Sequence, residues 1–220
     1  METRDYIKQY KGAERRFFDG TVETRAEGDS RQIVGRGIVY NSLSENFAPW
    51  HEGGLYEVIE RGSADGLLDD DGIMVLLNHE ASLVLARNKK TARLEERADG
   101  VYYIFDAPDT TTGNDTLINV RLGNIRKSSF AFLPKEVKME RMVDYANMGK
   151  INIRRITKFE RLFDMSPVTY PAYDDTEVMA RSIFAALDEL DKTKIEKEKE
   201  EARDILKSMK RRHEIFKLSF

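Results

Sequence analysis

The 220-residue chain contains no cysteine. Because there are no thiols, the sequence excludes disulfide bonds, thiolate metal sites and a cysteine nucleophile. Any nucleophilic catalysis therefore has to use a serine, a threonine, a lysine or a carboxylate side chain.

Long apolar runs and a strong net charge are also lacking. No stretch approaches the roughly 20 apolar residues of a membrane span, and the N-terminal "METRDYIKQYKG" has no apolar signal-peptide core. A net charge of -3 gives no general electrostatic reason to bind nucleic acid or an anionic membrane. We therefore expect no nucleic-acid partner, no membrane partner and a cytoplasmic location.

Two common hydrolase motifs are incomplete or missing. His79-Glu80 and His51-Glu52 begin the metalloprotease pattern H-E-x-x-H, but leucine stands at the second histidine position in both cases. The G-x-S-x-G turn of the α/β-hydrolases does not occur. The sequence therefore supports neither a zinc peptidase of that type nor an α/β-hydrolase.

Short β-like segments dominate the chain up to about residue 182. Alternating apolar and β-branched residues predict a hairpin from 15–26 and 31–40, and a helix is expected over 110–124 with Thr112 or Asn114 as its N-cap. A short helix capped by Ser63 is also expected. Further strands are predicted over residues 54–62, 73–77, 83–88, 91–97, 100–108, 127–139 and 152–173. The pattern predicts a mainly β, α+β domain at 1–182, resembling a β-barrel with a few flanking helices.

The segment 183–220 differs in character. It has no glycine or proline, it is strongly charged, and its apolar residues are partly at helical spacing. This predicts a charged amphipathic helical tail. The tail is either a solvated helix that packs on the domain or a removable, partner-binding extension, and the sequence leaves both open.

Three residues in separate β-like segments carry groups that can work together. His79 follows the buried run 73–77, Ser129 lies in a strand whose Phe130 and Phe132 point to the opposite face, and Asp164 lies in a third segment. A histidine can take the proton of a serine hydroxyl, and a carboxylate can hold that histidine in the required tautomer.

On spacing alone, structural roles are the more common explanation of the same residues. His79 fits a hydrogen-bonded histidine at a strand end, and Ser129 fits a small residue between closely packed strands. Asp164 fits an ion-pair partner of Arg154, Arg155 or Arg161.

Several ordered blocks between about Arg16 and Thr176 are more specific than any one motif. These blocks are "IVGRGIVYNSLSE", "GGLYEVIERGS", "LLNHEASLVLAR", "DGVYYIFDAPDT", "VRLGNIRKSSFAF" and "LFDMSPVTYPAYDDT". Together they resemble the prohead maturation proteases of tailed phages, a serine-protease family with the herpesvirus assemblin-like fold. The chain departs from the family pattern by an inserted segment, "KEVKMERMVDYANMGKINIR".

The resemblance implies a role for each residue of the constellation. His79 matches the general base, Ser129 the nucleophile and Asp164 the acidic residue that orients the histidine. Ser128 is the alternative nucleophile and Glu160 the alternative acid. Arg154 or Arg155 would either assist at the oxyanion site or pair with surface acids, and no metal or cofactor is implied.

The implied function is that of a serine endopeptidase acting through an acyl-enzyme. Its expected substrates are the scaffold protein, the major capsid protein and the chain itself, inside the immature prohead in the host cytoplasm. A homodimer and a scaffold-like, removable tail are further expectations. The alternatives are a non-catalytic capsid-assembly or scaffolding protein on the same fold, and a hydrolase of small esters or amides.

Overall fold

The computed structural model describes residues 10–18, 22–24, 30–170 and 174–217, which are mainly β. The chain divides into two compact units, Met1–Asp174 and Asp175–Phe220. In chain order the elements are β1 (Glu14–Phe18), β2 (Val22–Thr24), β3 (Gln32–Val39), β4 (Tyr56–Ile59), β5 (Met74–Leu76), β6 (Val84–Arg87), β7 (Ala92–Arg97), β8 (Gly100–Asp106), α1 (Thr111–Arg121), β9 (Lys127–Tyr145), β10 (Gly149–Val168) and α2 (Asp174–Lys217).

The first unit is built from two sheets. The larger has the order β1-β9-β10-β5-β6, with β4 also paired to β10, and the smaller has the order β2-β3-β8-β7. In the described part of the chain these sheets do not close into a barrel, so the barrel expected from the sequence is corrected to two separate sheets. Apolar side chains from both sheets share one core.

The predicted N-terminal hairpin is only partly present. β2 pairs with β3 as expected, but β1 lies in the larger sheet, antiparallel to β9. Local alternation specifies a strand but not its partner, and Arg16 of β1 forms buried ion pairs in the larger sheet. This correction matters because it brings β1 next to Ser129.

Two glycines in β3 leave room for large neighbouring side chains, one from the paired strand β8 and one from β10 of the larger sheet. A Cβ at Gly35 would collide with the ring of Tyr103, and a Cβ at Gly37 would lie 2.6 Å from Sδ of Met165. The Gly-x-Gly pattern in this strand is therefore explained by close packing.

Strands β9 and β10 form one long hairpin of 19 and 20 residues, joined by a short 3₁₀ turn at Ala146–Met148. Residues 135–154, which were predicted from the sequence to be an insertion, build the distal part of this hairpin. Ile151 and Ile153 of β10 pack with Val58 of β4. The proximal part carries Ser129 and Asp164.

Two local helix predictions need correction. Helix α1 is capped by Thr110, whose side chain accepts a hydrogen bond of 3.1 Å from Gly113 N, and not by Thr112 or Asn114. The residues after Ser63 form turns instead of a helix, with Gly66 at φ 77°. The buried Asn88 donates to the carbonyls of Leu68 and Asp70 at 2.8 Å, which satisfies the backbone of this irregular segment.

Except for its first residue, Asp174, helix α2 lies in the second unit, and it begins before the predicted tail boundary at residue 183. No helix among the described residues is both long and apolar enough to span a membrane.

Candidate active site

The alternation of β9 separates its two serines. Phe130 and Phe132 point into the core, where their rings lie 4.9 Å apart, so Ser129 points to the opposite face of the sheet. Ser128 lies on the core side and its hydroxyl is 2.8 Å from that of the fully buried Tyr103. The structure therefore presents Ser129, and not Ser128, on the face where the histidine lies.

His79 is held in an uncommon backbone conformation directly after β5. Asn78 and His79 have φ values of 55° and 59°, the left-handed region that non-glycine residues seldom adopt. Asn78 stabilises the turn, since its N–H donates to Pro167 O at 3.0 Å and its Oδ1 accepts from Thr169 N at 2.8 Å. These bonds attach the turn to the end of β10 and bring the imidazole above the sheet.

A β-bulge in β10 turns Asp164 towards Ser129. Leu162 is paired with Phe132 on the core side, whereas Asp164 is paired with Ala131 on the outer side, and a register shift separates the two pairs. Strict alternation would have placed Leu162 and Asp164 on the same face. The extra residue reverses the side on which Asp164 emerges, which is a known use of bulges beside functional sites.

The structure brings His79, Ser129 and Asp164 into one hydrogen-bonded chain. His79 Nδ1 lies 2.6 Å from Asp164 Oδ1, and His79 Nε2 lies 2.6 Å from Ser129 Oγ. Because an ionised carboxylate can only accept, Nδ1 carries the proton and Nε2 is free to accept the serine proton. The histidine side chain is 8% exposed and the aspartate is fully buried, so the pair is largely shielded from water.

Sequence reasoning missed two further groups at this site. The hydroxyl of the fully buried Ser166 donates to Asp164 Oδ1, and Ser129 Oγ lies 2.9 Å from the carbonyl oxygen of Arg16. The i, i+2 spacing of Asp164 and Ser166 in a strand is a signal that could have identified the first. No local signal identifies the second, because it depends on β1 lying beside β9.

Two of the arginines predicted to be partners of Asp164 or oxyanion helpers, Arg154 and Arg155, bind other acids. Arg154 pairs with the buried Glu57 and, at 2.8 Å, with Glu14, while Arg155 binds Glu140 at 2.7 Å.

Arg161, the third arginine predicted as a possible partner of Asp164, donates to the Tyr10 hydroxyl at 3.1 Å. Glu160, the alternative acid, is exposed on β10.

A mainly β protein in which a serine, a histidine and a buried aspartate are linked in this order defines a candidate serine hydrolase. A family model described as caudovirus prohead serine protease matches residues 20–193, a range that contains all three residues. The chain therefore belongs to the caudovirus prohead serine protease family. No significant match was found among curated proteins or among solved structures.

Family membership confirms two predictions made from the sequence. The resemblance to prohead proteases is correct, and the protein is a serine protease. It also indicates capsid maturation as the process, with capsid-related proteins as substrates in the procapsid inside the host.

Proposed function

We propose that this protein is the serine endopeptidase that cleaves the scaffold protein, the major capsid protein or both during prohead maturation, with Ser129 as nucleophile. The observation that carries the proposal is the hydrogen-bonded chain Ser129–His79–Asp164, with both distances at 2.6 Å. The competing function, a scaffolding protein without activity, gives no chemical reason for these three groups to be linked in this order.

In the proposed mechanism, Ser129 Oγ attacks the scissile carbonyl carbon while His79 Nε2 accepts the hydroxyl proton. Asp164 stabilises the resulting imidazolium through Nδ1–H. The C–N bond then breaks as His79 returns the proton to the leaving amine, which leaves an acyl-enzyme. A water molecule attacks the ester by the same route in reverse and regenerates Ser129.

The tetrahedral oxyanion requires hydrogen-bond donors, for which backbone amides are the usual source. The arginine side chains near this part of the sheet are engaged in ion pairs, with Arg154 bound to two glutamates. We therefore favour backbone donors over Arg154 and Arg155.

Two finer elements of the proposal come from the resemblance alone. One is that the two sheets are a variant of the assemblin-like fold, with a homodimer as in the herpesvirus relatives. The other is that residues 183–220 form a scaffold-like segment that is removed by self-cleavage.

A fluorophosphonate reagent tests the nucleophile without knowledge of the natural substrate. Attack by Ser129 forms an Oγ–P bond and expels fluoride, so we expect one adduct that peptide mapping places on Ser129. Ser128→Ala is the matched control and should retain the adduct, whereas His79→Ala should nearly abolish it. An adduct on Ser128, or labelling that does not depend on His79, would contradict the assignment.

A further inference from the structure

Ser166 is a fully buried hydroxyl at the centre of the site that the mechanism above does not use. It lies on β10 in register with Ser129 of β9, and two residues beyond Asp164 on the same strand. Its side chain therefore shares the outer face of the sheet with both the nucleophile and the carboxylate. A polar residue at this position would be costly to bury without a partner.

The partner of Ser166 is the same oxygen that orients the histidine. Ser166 Oγ donates to Asp164 Oδ1, and His79 Nδ1 lies 2.6 Å from that oxygen. Two donors on one oxygen fix the plane and rotation of the carboxylate more firmly than one donor can. Each of the two donors also stabilises part of the negative charge of this oxygen.

We propose that Ser166 is a positioning residue for the proteolytic reaction, which holds the Asp164 carboxylate in the orientation that His79 requires. The inference rests on the proposed function, because it assumes that His79 and Asp164 activate Ser129. In this role Ser166 takes no part in bond making or breaking, since its hydroxyl is bonded to Asp164. It acts through Asp164 alone.

The proposal predicts a change in proton affinity as well as in rate. Without the Ser166 hydroxyl, the carboxylate loses one hydrogen-bond donor, keeps more of its negative charge towards His79 and stabilises the imidazolium more strongly. The acidic limb of the pH–rate profile, which reports the protonation of the free enzyme's base, should therefore move to higher pH. A residue that only supports packing would lower the rate at every pH without moving this limb.

Ser166→Thr and Ser166→Val make the sharpest comparison, because the two new side chains have nearly the same shape and differ in the hydroxyl. We expect Ser166→Thr to keep the wild-type limb and most of the rate of fluorophosphonate labelling. Ser166→Val and Ser166→Ala should label about tenfold more slowly at neutral pH, a size typical for the loss of a hydrogen bond to a charged group. The acidic limbs of their pH–rate profiles should lie at higher pH than that of wild type.

Ser128→Ala supplies the matched control, since it also removes a fully buried serine hydroxyl from the neighbouring strand. It should lower the melting temperature and leave the acidic limb of the pH–rate profile at its wild-type position. If Ser166→Thr and Ser166→Val do not fold, Ser166→Ala alone tests the inference, because it only removes an atom. A Ser166→Ala profile that coincides with wild type would overturn the inference, whereas an unlabelled wild-type protein would overturn the proposed function instead.

Discussion

Asp164 is fully buried, and a carboxylate remains ionised in such a place only when hydrogen-bond donors surround it. His79 and Ser166 provide two such donors on one oxygen. At the scale of single residues, the site therefore depends on a negative charge that the protein stabilises before substrate arrives. This arrangement favours the neutral histidine tautomer that can accept the proton of Ser129.

Replacing Asp164 by asparagine tests this charge with little change in shape. The amide of Asp164→Asn can donate to Nδ1, which would hold the histidine in the tautomer whose Nε2 already carries a proton. We expect the cleavage rate to fall by about 10³–10⁴-fold, as is typical for such a substitution in serine proteases. Steady-state kinetics on a cleaved capsid or scaffold peptide would measure the loss.

Glu160→Gln is the control for that substitution. Glu160 is exposed on the same strand, so its loss should leave the rate within about twofold of wild type, as expected for a surface change away from the site. The reverse result, an inactive Glu160→Gln beside an active Asp164→Asn, would make Glu160 the third member of the site.

At the scale of elements, a buried ion cluster joins three strands next to the nucleophile. Arg16 of β1 and Arg154 of β10 both bind Glu57 of β4, and Glu14 of β1 binds both arginines. Since the carbonyl of Arg16 also lies 2.9 Å from Ser129 Oγ, the cluster fixes the backbone beside the nucleophile. It explains why β1 belongs to the larger sheet.

The opposite charges of this cluster stabilise one another. Burial opposes the ionisation of Glu57, but the guanidinium groups of Arg16 and Arg154 outweigh burial and hold its pKa below its ordinary value. Burial likewise opposes the charge of Arg16, and Glu57 and Glu14 outweigh it, so the pKa of Arg16 is raised. Each ion is therefore stable in the interior only because its partners are charged.

Glu57→Gln should consequently destabilise the fold, because it leaves two buried guanidinium groups short of a partner. We expect a loss of about 3–5 kcal/mol in the free energy of unfolding near neutral pH, measured by urea denaturation. The pKa of Glu57 is lowered in the folded state, so its contribution is complete above its unfolded pKa of about 4.3 and is lost as the pH falls through the folded value. The difference between wild type and variant should therefore shrink in acid.

Glu140→Gln removes one of the two acids that pair with Arg155 on the more exposed part of the hairpin, and it serves as the control. It should cost less than about 1 kcal/mol, in line with surface ion pairs. Equal losses for the two variants, or a Glu57→Gln effect that grows in acid, would contradict the role of the buried cluster.

At the scale of the whole molecule, the sequence predicts the strands well and their arrangement poorly. Alternation of apolar residues identified the strands, and it placed Ser129 opposite Phe130 correctly, because a strand's side-chain period is local. The partner of β1 depends on ion pairs between residues far apart in the chain. Whether strands close into a barrel depends on which edge strands pair with each other, and the alternation of apolar residues within one strand does not specify that pairing.

The site shows the same division between local and long-range information. His79 and Ser129 could be selected because ordered blocks resemble the family, while spacing alone left structural explanations open. The orientation of Asp164 depends on the register shift after Leu162, and the Arg16 carbonyl depends on strand pairing. Neither could be predicted from single segments, since both require the assembled sheet.

The central claim, a maturation protease with Ser129 as nucleophile, is tested most directly by intact mass over time. The wild-type chain and Ser129→Ala would each be co-expressed with the capsid and scaffold proteins of the same phage. We predict fragments of the capsid protein, the scaffold or the chain itself only with wild type, while Ser129→Ala stays folded and inactive. Intact proteins in both samples would favour the scaffolding function, and equal cleavage in both would exclude Ser129 and make Ser128 the next residue to test.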